Sequence, residues 1–393
     1  ILTKFFNSMK FSNLILAASI VAMTFASCNK EDEAGTGDNS LKSVTISLAN
    51  VLPGTRSAIP DGEGDLSETE INLINYQVFF SDGTNLYRGK KADDPQTDAQ
   101  NFFVVGGDVG LEQSFHFLPA GVNKVIVIGN VRGDDGQVIK TGTTGLTAAA
   151  ETDLAEQLAI GGQQDVDELT LYGESEALTL SAQHADHSNP VYKATVNIEP
   201  LVARVEVTGI ECNFGDSPIY NAIKLQKFAI NNYYAQAELT EGTMSELKKA
   251  KTDETEIFDH FATLTGDQWY YENLNGALLT PAANKNEKKS YYHFFTAGSE
   301  LVDAVTSDGY PQLLMQATGH ADASGNDAGT PLYLATKALK NASGNLTKFE
   351  RGHIYRVNFI FNDSDFEQPD KCIDVTVKVA KWTVHADLTP VFN

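Results

Sequence analysis

Apolar and polar residues alternate along most of this chain in short runs bounded by turn residues, the period-two pattern of half-buried β-strands. The first clear case is Val44, Ile46 and Leu48 interleaved with Thr45 and Ser47 and continuing through Val51 and Leu52. Further strand signals fall at residues 74–81, closed by Asp82-Gly83-Thr84-Asn85, and at 113–117, 124–130, 168–172 and 192–198. The second half adds 202–210, 222–230, 291–296, 312–318, 353–361 and 373–384, the last with Val375, Val377, Val379 and Trp382 as its apolar set. Helical periodicity is confined to two insertions. One is 147–158, where Thr147 caps a segment carrying Leu154 and Leu158 one turn apart, and the other is 244–251. Neither looks like the crossover helix of a parallel sheet. The pattern therefore predicts an all-β fold of two antiparallel β-sandwich domains with short helical insertions. The N-terminal domain is expected at 57–190 and the C-terminal domain at 191–393, meeting in the polar stretch 184–190.

The front of the chain is set apart from this pattern. Lys4 and Lys10 supply positive charge ahead of an apolar stretch at 14–25 that runs into Phe25-Ala26-Ser27-Cys28. This is the layout of a lipoprotein signal peptide over 1–28, with Met9 an alternative start and Cys28 the residue to be acylated. The apolar run is shorter than the roughly 20 residues a membrane-spanning helix requires. The following Asn29-Lys30-Glu31-Asp32-Glu33 resembles the acidic tag that sends Bacteroidales lipoproteins to the outer face of the outer membrane; a solvated linker is the plainer reading.

Charge narrows the function classes. The 393 residues carry a formal net charge of −23, and all of the negative excess lies beyond residue 56. So acidic a body repels phosphate backbones and anionic lipid, which excludes a nucleic-acid-binding role. With Cys28 consumed by lipid, Cys212 and Cys372 remain, either as a disulfide in an oxidising compartment or as two separate buried thiols.

Candidate sites are few. His184-Ala185-Asp186-His187 offers metal-ligand residue types but lacks the second ligand pair a zinc site needs. Asp322, Ser324, Asn326 and Asp327 faintly resemble a calcium loop, but its glycine turn and distal glutamate are not in their required places, so a hairpin tip is expected. Arg132-Gly133-Asp134 spells an adhesive tripeptide yet continues into Asp135-Gly136 as a tight turn would. Asn341-Ala342-Ser343 and Asn345-Leu346-Thr347 fit a glycosylation sequon that a bacterial lipoprotein would not use. No nucleophile motif, phosphate-cradling glycine loop or zinc-binding helix is present, so the sequence calls for no catalytic residue, cofactor or metal.

The two ends carry the remaining signal. The strand around Val44, Ile46, Leu48 and Leu52 is followed at once by Pro53-Gly54-Thr55-Arg56-Ser57, a loop of small and polar residues holding one of six arginines. A trypsin-like protease would cut there, between Arg56 and Ser57. At the other end the alternation at Val375, Val377, Val379 and Trp382 marks a terminal strand free to dock elsewhere.

On these residues the chain resembles the FimA-like major fimbrial subunits of Bacteroidales, the protease-matured type V pilins. The shared features are Cys28, the strand ending at Arg56, Leu118-Pro119-Ala120-Gly121 running into 124–130, Leu201-Val202-Ala203-Arg204-Val205-Glu206-Val207, and Val379-Ala380-Lys381-Trp382. The resemblance implies transthyretin-like β-sandwiches, export as an outer-membrane lipoprotein, and removal of propeptide 29–56 by an arginine-specific protease. It also implies filling of the vacated groove by a neighbour's C-terminal strand in an extracellular fimbrium. Expected partners are other copies of the chain, other pilus subunits, the protease, and host or bacterial surface ligands. The presence of both Arg56 and a donor tail favours a shaft subunit. The alternatives are a tip or accessory adhesin of the same pilus, or a surface glycan-binding lipoprotein using Trp269-Tyr270-Tyr271.

Overall fold

Side chains alternate across a strand, so a residue run with one apolar face folds where that face can be covered by a second sheet. The computed structural model describes residues 41–53, 70–89, 103–105, 112–133, 135–139, 145–154, 157–175, 177–182, 190–240, 243–249, 271–280, 285–286, 290–296, 308–341, 343–367, 370–381 and 383–386. The protein is all-β. Helix among the described residues is limited to single 3-10 turns such as Glu151–Leu154, Ile160–Gln163 and Asp363–Phe366. None is long and apolar enough to cross a membrane.

The first sandwich has a four-stranded sheet in the order Thr179–Leu180, Val191–Val196, Lys42–Leu48 (β1), Glu112–Leu118. Opposite it a six-stranded sheet runs from Glu199–Pro200 through Leu171–Glu174, Lys124–Gly129 and Asn75–Ser81 to Leu86–Tyr87, with Phe103–Val105 beside Asn75–Ser81. The faces interlock where Phe80 of the second sheet meets Phe115 of the first edge to face, ring centroids 5.1 Å apart. Leu118-Pro119-Ala120-Gly121 is the crossover between the two sheets: Val122 N donates to Pro119 O at 3.1 Å and the chain re-enters the opposite sheet at Lys124.

The second sandwich is one long sheet folded over on itself. Its path is Met244–Lys248, Tyr233–Glu238, Ser290–Phe295, Val202–Asn213, His353–Asn362, Asp370–Lys381, Thr330–Asn341, Gln312–His320, Ala222–Asn231, Tyr271–Leu279. Asp370–Lys381 makes the fold possible by changing partners partway along. Residues 370–376 pair in parallel with Thr330–Asn341, and 377–381 pair antiparallel with His353–Asn362. Phe228, from one wing, packs on Phe359 and Tyr292 of the other at 5.4 and 6.4 Å. Gln157–Ala159 extends from the first half to pair with Tyr233–Glu238, and one hydrophobic cluster runs from Val44 to Phe366.

Of the two expected helical insertions, one is a strand and the other is reduced to a single turn. Met244–Lys248 is an edge strand paired to Tyr233–Glu238, and Glu246 holds φ +55, which right-handed helix cannot accommodate. At 147–158 a single turn forms because the Asp153 carboxylate accepts from Ala149 N and Ala150 N, both at 2.8 Å, after which the chain extends into Gln157–Ala159. Cys212 is a free buried thiol, pushed up to about 12 by its burial, which settles the open cysteine reading against a disulfide.

Candidate functional site

The site is the seat of β1 together with the short parallel sheet that continues it. β1 is an inner strand, parallel to Val191–Val196 on one side and antiparallel to Glu112–Leu118 on the other. Its alternation places Val44 (0% exposed), Ile46 (0%) and Leu48 (4%) in the core, and Val51 (3%) follows beyond the bend. The outward row is polar and paired: Ser43 Oγ lies 2.8 Å from His116 Nδ1, and Thr45 Oγ1 lies 2.9 Å from Ser114 Oγ.

Two polar side chains pin the ends of the seat. Lys42 is buried, donates to Val122 O, and holds its ammonium 4.7 Å from the centre of the Tyr192 ring. Desolvation lowers its pKa from the ordinary lysine value, and burial likewise lowers that of His116. At the other end the Asn50 amide donates to Ile198 O while Ile198 N donates to Asn50 Oδ1 at 2.9 Å, fixing the bend that carries the chain out of the first sheet. Phe117 bulges out of the neighbouring strand with φ +60 and lies exposed beside the Lys42 end.

After the bend, Val51–Pro53 (β2) joins a three-stranded parallel sheet in the order β2, Thr383–Ala386, Glu70–Leu73 (β3). The tail strand Thr383–Ala386 thus lies between the two: Val384 is in register with Val51 on one side and Ile71 on the other.

Most of the sequence-derived residues can now be placed. Val44, Ile46 and Leu48 face the core together. Leu52 lies in β2 and pairs with His385 through its backbone. Val375, Val377 and Val379 are paired with Leu339, Val357 and Tyr355 of the second sandwich. Cys28, Arg56, Ser57 and Trp382 lie outside the described residues, as do His184, Asp186, His187, Asp134, Trp269 and Tyr270. Asp322, Ser324, Asn326 and Asp327 form the expected hairpin tip, where Ser324 donates to Asp322 and Asp327 is 2.8 Å from His320 Nδ1. Arg132 is occupied structurally, donating to the carbonyls of Gly136, Gly162 and Glu168. Sequence reading missed Lys42 and Asn50; Lys42 shares the parity of Val44 and Ile46, and that parity alone marks it as inward.

No family model matches the sequence, and no curated protein matches it. Among solved structures the chain is similar to a fimbrilin, FimA of Porphyromonas gingivalis W83, with a TM-score of 0.50 and 13% identity over 89% of this chain and 99% of that one. A Bacteroides eggerthii protein with a provisional cell-adhesion assignment gives 0.48 and 15% over 90% and 100%. The C-terminally truncated tip fimbrial protein Mfa3 of P. gingivalis gives 0.42 and 11% over 87% and 100%. At such identities the fimbrilin match establishes a shared fold: this chain has the paired β-sandwich architecture of that protein.

Proposed function

We propose that this chain is a structural shaft subunit of a cell-surface fimbria. It is exported as a lipoprotein precursor acylated at Cys28, cleaved between Arg56 and Ser57, and polymerised by strand exchange between copies. The observation that carries the reading is the position of β1: an inner strand with its aliphatic face buried, joined to the rest of the fold by a segment that contains Arg56. Removing it leaves a groove of apolar side chains flanked by two strands with unpaired backbone groups, a template for another strand. The fimbrilin fold supports the reading, and nothing in it requires catalysis. The two sandwiches serve as its two domains, divided near residue 201 and not at 190, since Val191–Val196 and Glu199–Pro200 pair within the first. The exchanged part of the tail begins after Lys381, because Val375 is paired with Leu339, and Val377 and Val379 with Val357 and Tyr355, within the second sandwich.

The test is Arg56→Ala. Treated with an arginine-specific protease, the wild type should lose residues 1–56, start at Ser57 by mass spectrometry, and form filaments visible by electron microscopy and as ladders on unboiled denaturing gels. The variant should remain a folded monomer. Equal polymer from a variant with an intact N-terminal segment would overturn the proposal.

A further inference from the structure

Where the two halves of the chain meet, a cavity of about 310 Å³ is walled by Ile128, Val131, Leu146 and Leu158 of the first half and Leu239 of the second. Leu158 comes to lie beside Leu239 because Gln157–Ala159 pairs with Tyr233–Glu238, which ends one residue before it. Gly136, Ala159 and Gly162 also line the cavity and are exposed, so it opens to solvent between residues with little or no side chain. Of the described lining residues only Arg132 is charged.

The polar side chains of this wall are committed to one another or to the backbone, with one atom left over. Gln163 and Thr170 satisfy each other: Gln163 Nε2 donates to Thr170 Oγ1 and Thr170 N donates to Gln163 Oε1, both at 2.9 Å. Arg132 donates through Nη1 to Gly136 O and through Nη2 to the carbonyls of Gly162 and Glu168. Its Nε is buried and makes no hydrogen bond among the described residues. A buried donor without an acceptor carries the full cost of its lost hydration. The charge itself is answered, because Asp165 and Glu168 offset it through space. This wall therefore favours an acceptor atom over a counter-charge.

We propose that this cavity binds a small neutral molecule with an apolar body and one carbonyl oxygen, the oxygen accepting a hydrogen bond from Arg132. The volume is about twice the roughly 150 Å³ that admits one benzene ring, which leaves room for a ring and a short chain. Apolar walls with a single orienting polar group are the usual make-up of a small-molecule site. The chain's net charge of −23 adds to the field of Asp165 and Glu168 against an anion. An occupant also tightens the joint between the sandwiches. The turn Ile160–Gln163 borders the cavity and is tied to the second sandwich, Gln163 O lying 2.8 Å from His293 Nδ1. This site goes beyond the filament reading and stands without it.

Three probes of one shape test the site on the full, uncleaved chain by calorimetry and ligand-detected NMR. Benzylacetone ends in a methyl ketone, butylbenzene lacks the oxygen, and hydrocinnamate carries a carboxylate in its place. Benzylacetone should bind about tenfold tighter than either of the others and raise the melting temperature. Arg132 is left intact in this series because it ties down three carbonyls. Two substitutions fill the cavity from different walls, Ala159→Phe at the exposed rim and Leu146→Trp opposite the second half, and each should abolish binding in folded protein. Independently of any variant, benzylacetone should shift the methyl resonances of Leu146, Leu158 and Leu239. Butylbenzene binding as tightly as benzylacetone, or hydrocinnamate binding more tightly, overturns the proposed ligand class. Binding that leaves those methyl resonances unmoved overturns the site, as does binding that survives both filling variants. No binding of benzylacetone at millimolar concentration overturns the proposal outright.

Discussion

Ile46 lies at the middle of the first strand and has no solvent exposure, so truncating it tests what that strand does. Val44, Ile46, Leu48 and Val51 together contribute about 6 to 12 kcal/mol of gross burial at about 1.5 to 3 kcal/mol each. That is comparable with the whole stability of a typical domain, about 5 to 15 kcal/mol. Cutting the chain at Arg56 therefore does not by itself expel the strand; it stays in its slot as a non-covalent ligand until displaced. Ile46→Ala removes about 2 to 5 kcal/mol of that hold, a weakening of about 30-fold to several thousand-fold. On the proposed cleavage the substituted residue leaves with the propeptide, so the mature subunit is unchanged. Urea denaturation should show the precursor destabilised by that amount, while light scattering after cleavage should show assembly at least tenfold faster. The finished filaments should resist denaturant as wild type does. A precursor shifted by less than about 0.5 kcal/mol, or filaments weakened to the same degree as the precursor, would refute the reasoning.

Two further outcomes follow from the structure and one from the proposed lipid anchor. His293 is fully buried with Nδ1 2.8 Å from Gln163 O, and burial, reinforced by the Arg204 charge, pushes its pKa down to about 3. The unfolded chain takes up that proton near pH 6.5, so His293's contribution is complete above 6.5 and declines by about 1.4 kcal/mol per pH unit as pH falls toward 3. Urea midpoints at stepped pH should fall more steeply for wild type than for His293→Gln. A Cβ at Gly173 would lie 2.0 Å from the Asn197 carbonyl oxygen, so Gly173→Ala should cost about 1 to 3 kcal/mol or more, read as a lowered melting temperature. Cys28→Ala should abolish fatty-acid labelling and outer-membrane partitioning of the precursor; a variant that still labels refutes the lipid anchor.

The strands were legible wherever one face is buried and the other wet, as at β1, whose burial alternates residue by residue as its sequence does. Thr330–Asn341 escaped notice because Pro331 and the lysines at 337 and 340 break the alternation, although the strand sits inside a sheet. Met244–Lys248 misled because Met244 and Leu247 are spaced like helix neighbours, while long-range pairing to Tyr233–Glu238 decided the outcome. Arg204 and Glu206 lie in a stretch whose burial does not follow side-chain polarity; their fully buried pair, 2.9 Å apart, shows up only once the partner strands are in place. At the candidate site the apolar set of β1 was readable. The boundary between sandwich and tail was not, because Val375, Val377 and Val379 alternate in the same way whether a strand's partners belong to its own chain or to another.

The partner change within Asp370–Lys381 bears on how a filament would carry load. If a neighbour pulls on the tail, tension enters this strand along its own axis. Its bonds to Thr330–Asn341 and His353–Asn362 are then sheared together and must fail nearly at once, instead of peeling open one after another. The root of the tail is thus built as a lap joint bonded along one edge for its first part and along the other edge for its second, and a subunit stretched by flow should extend at its loops before it gives way there.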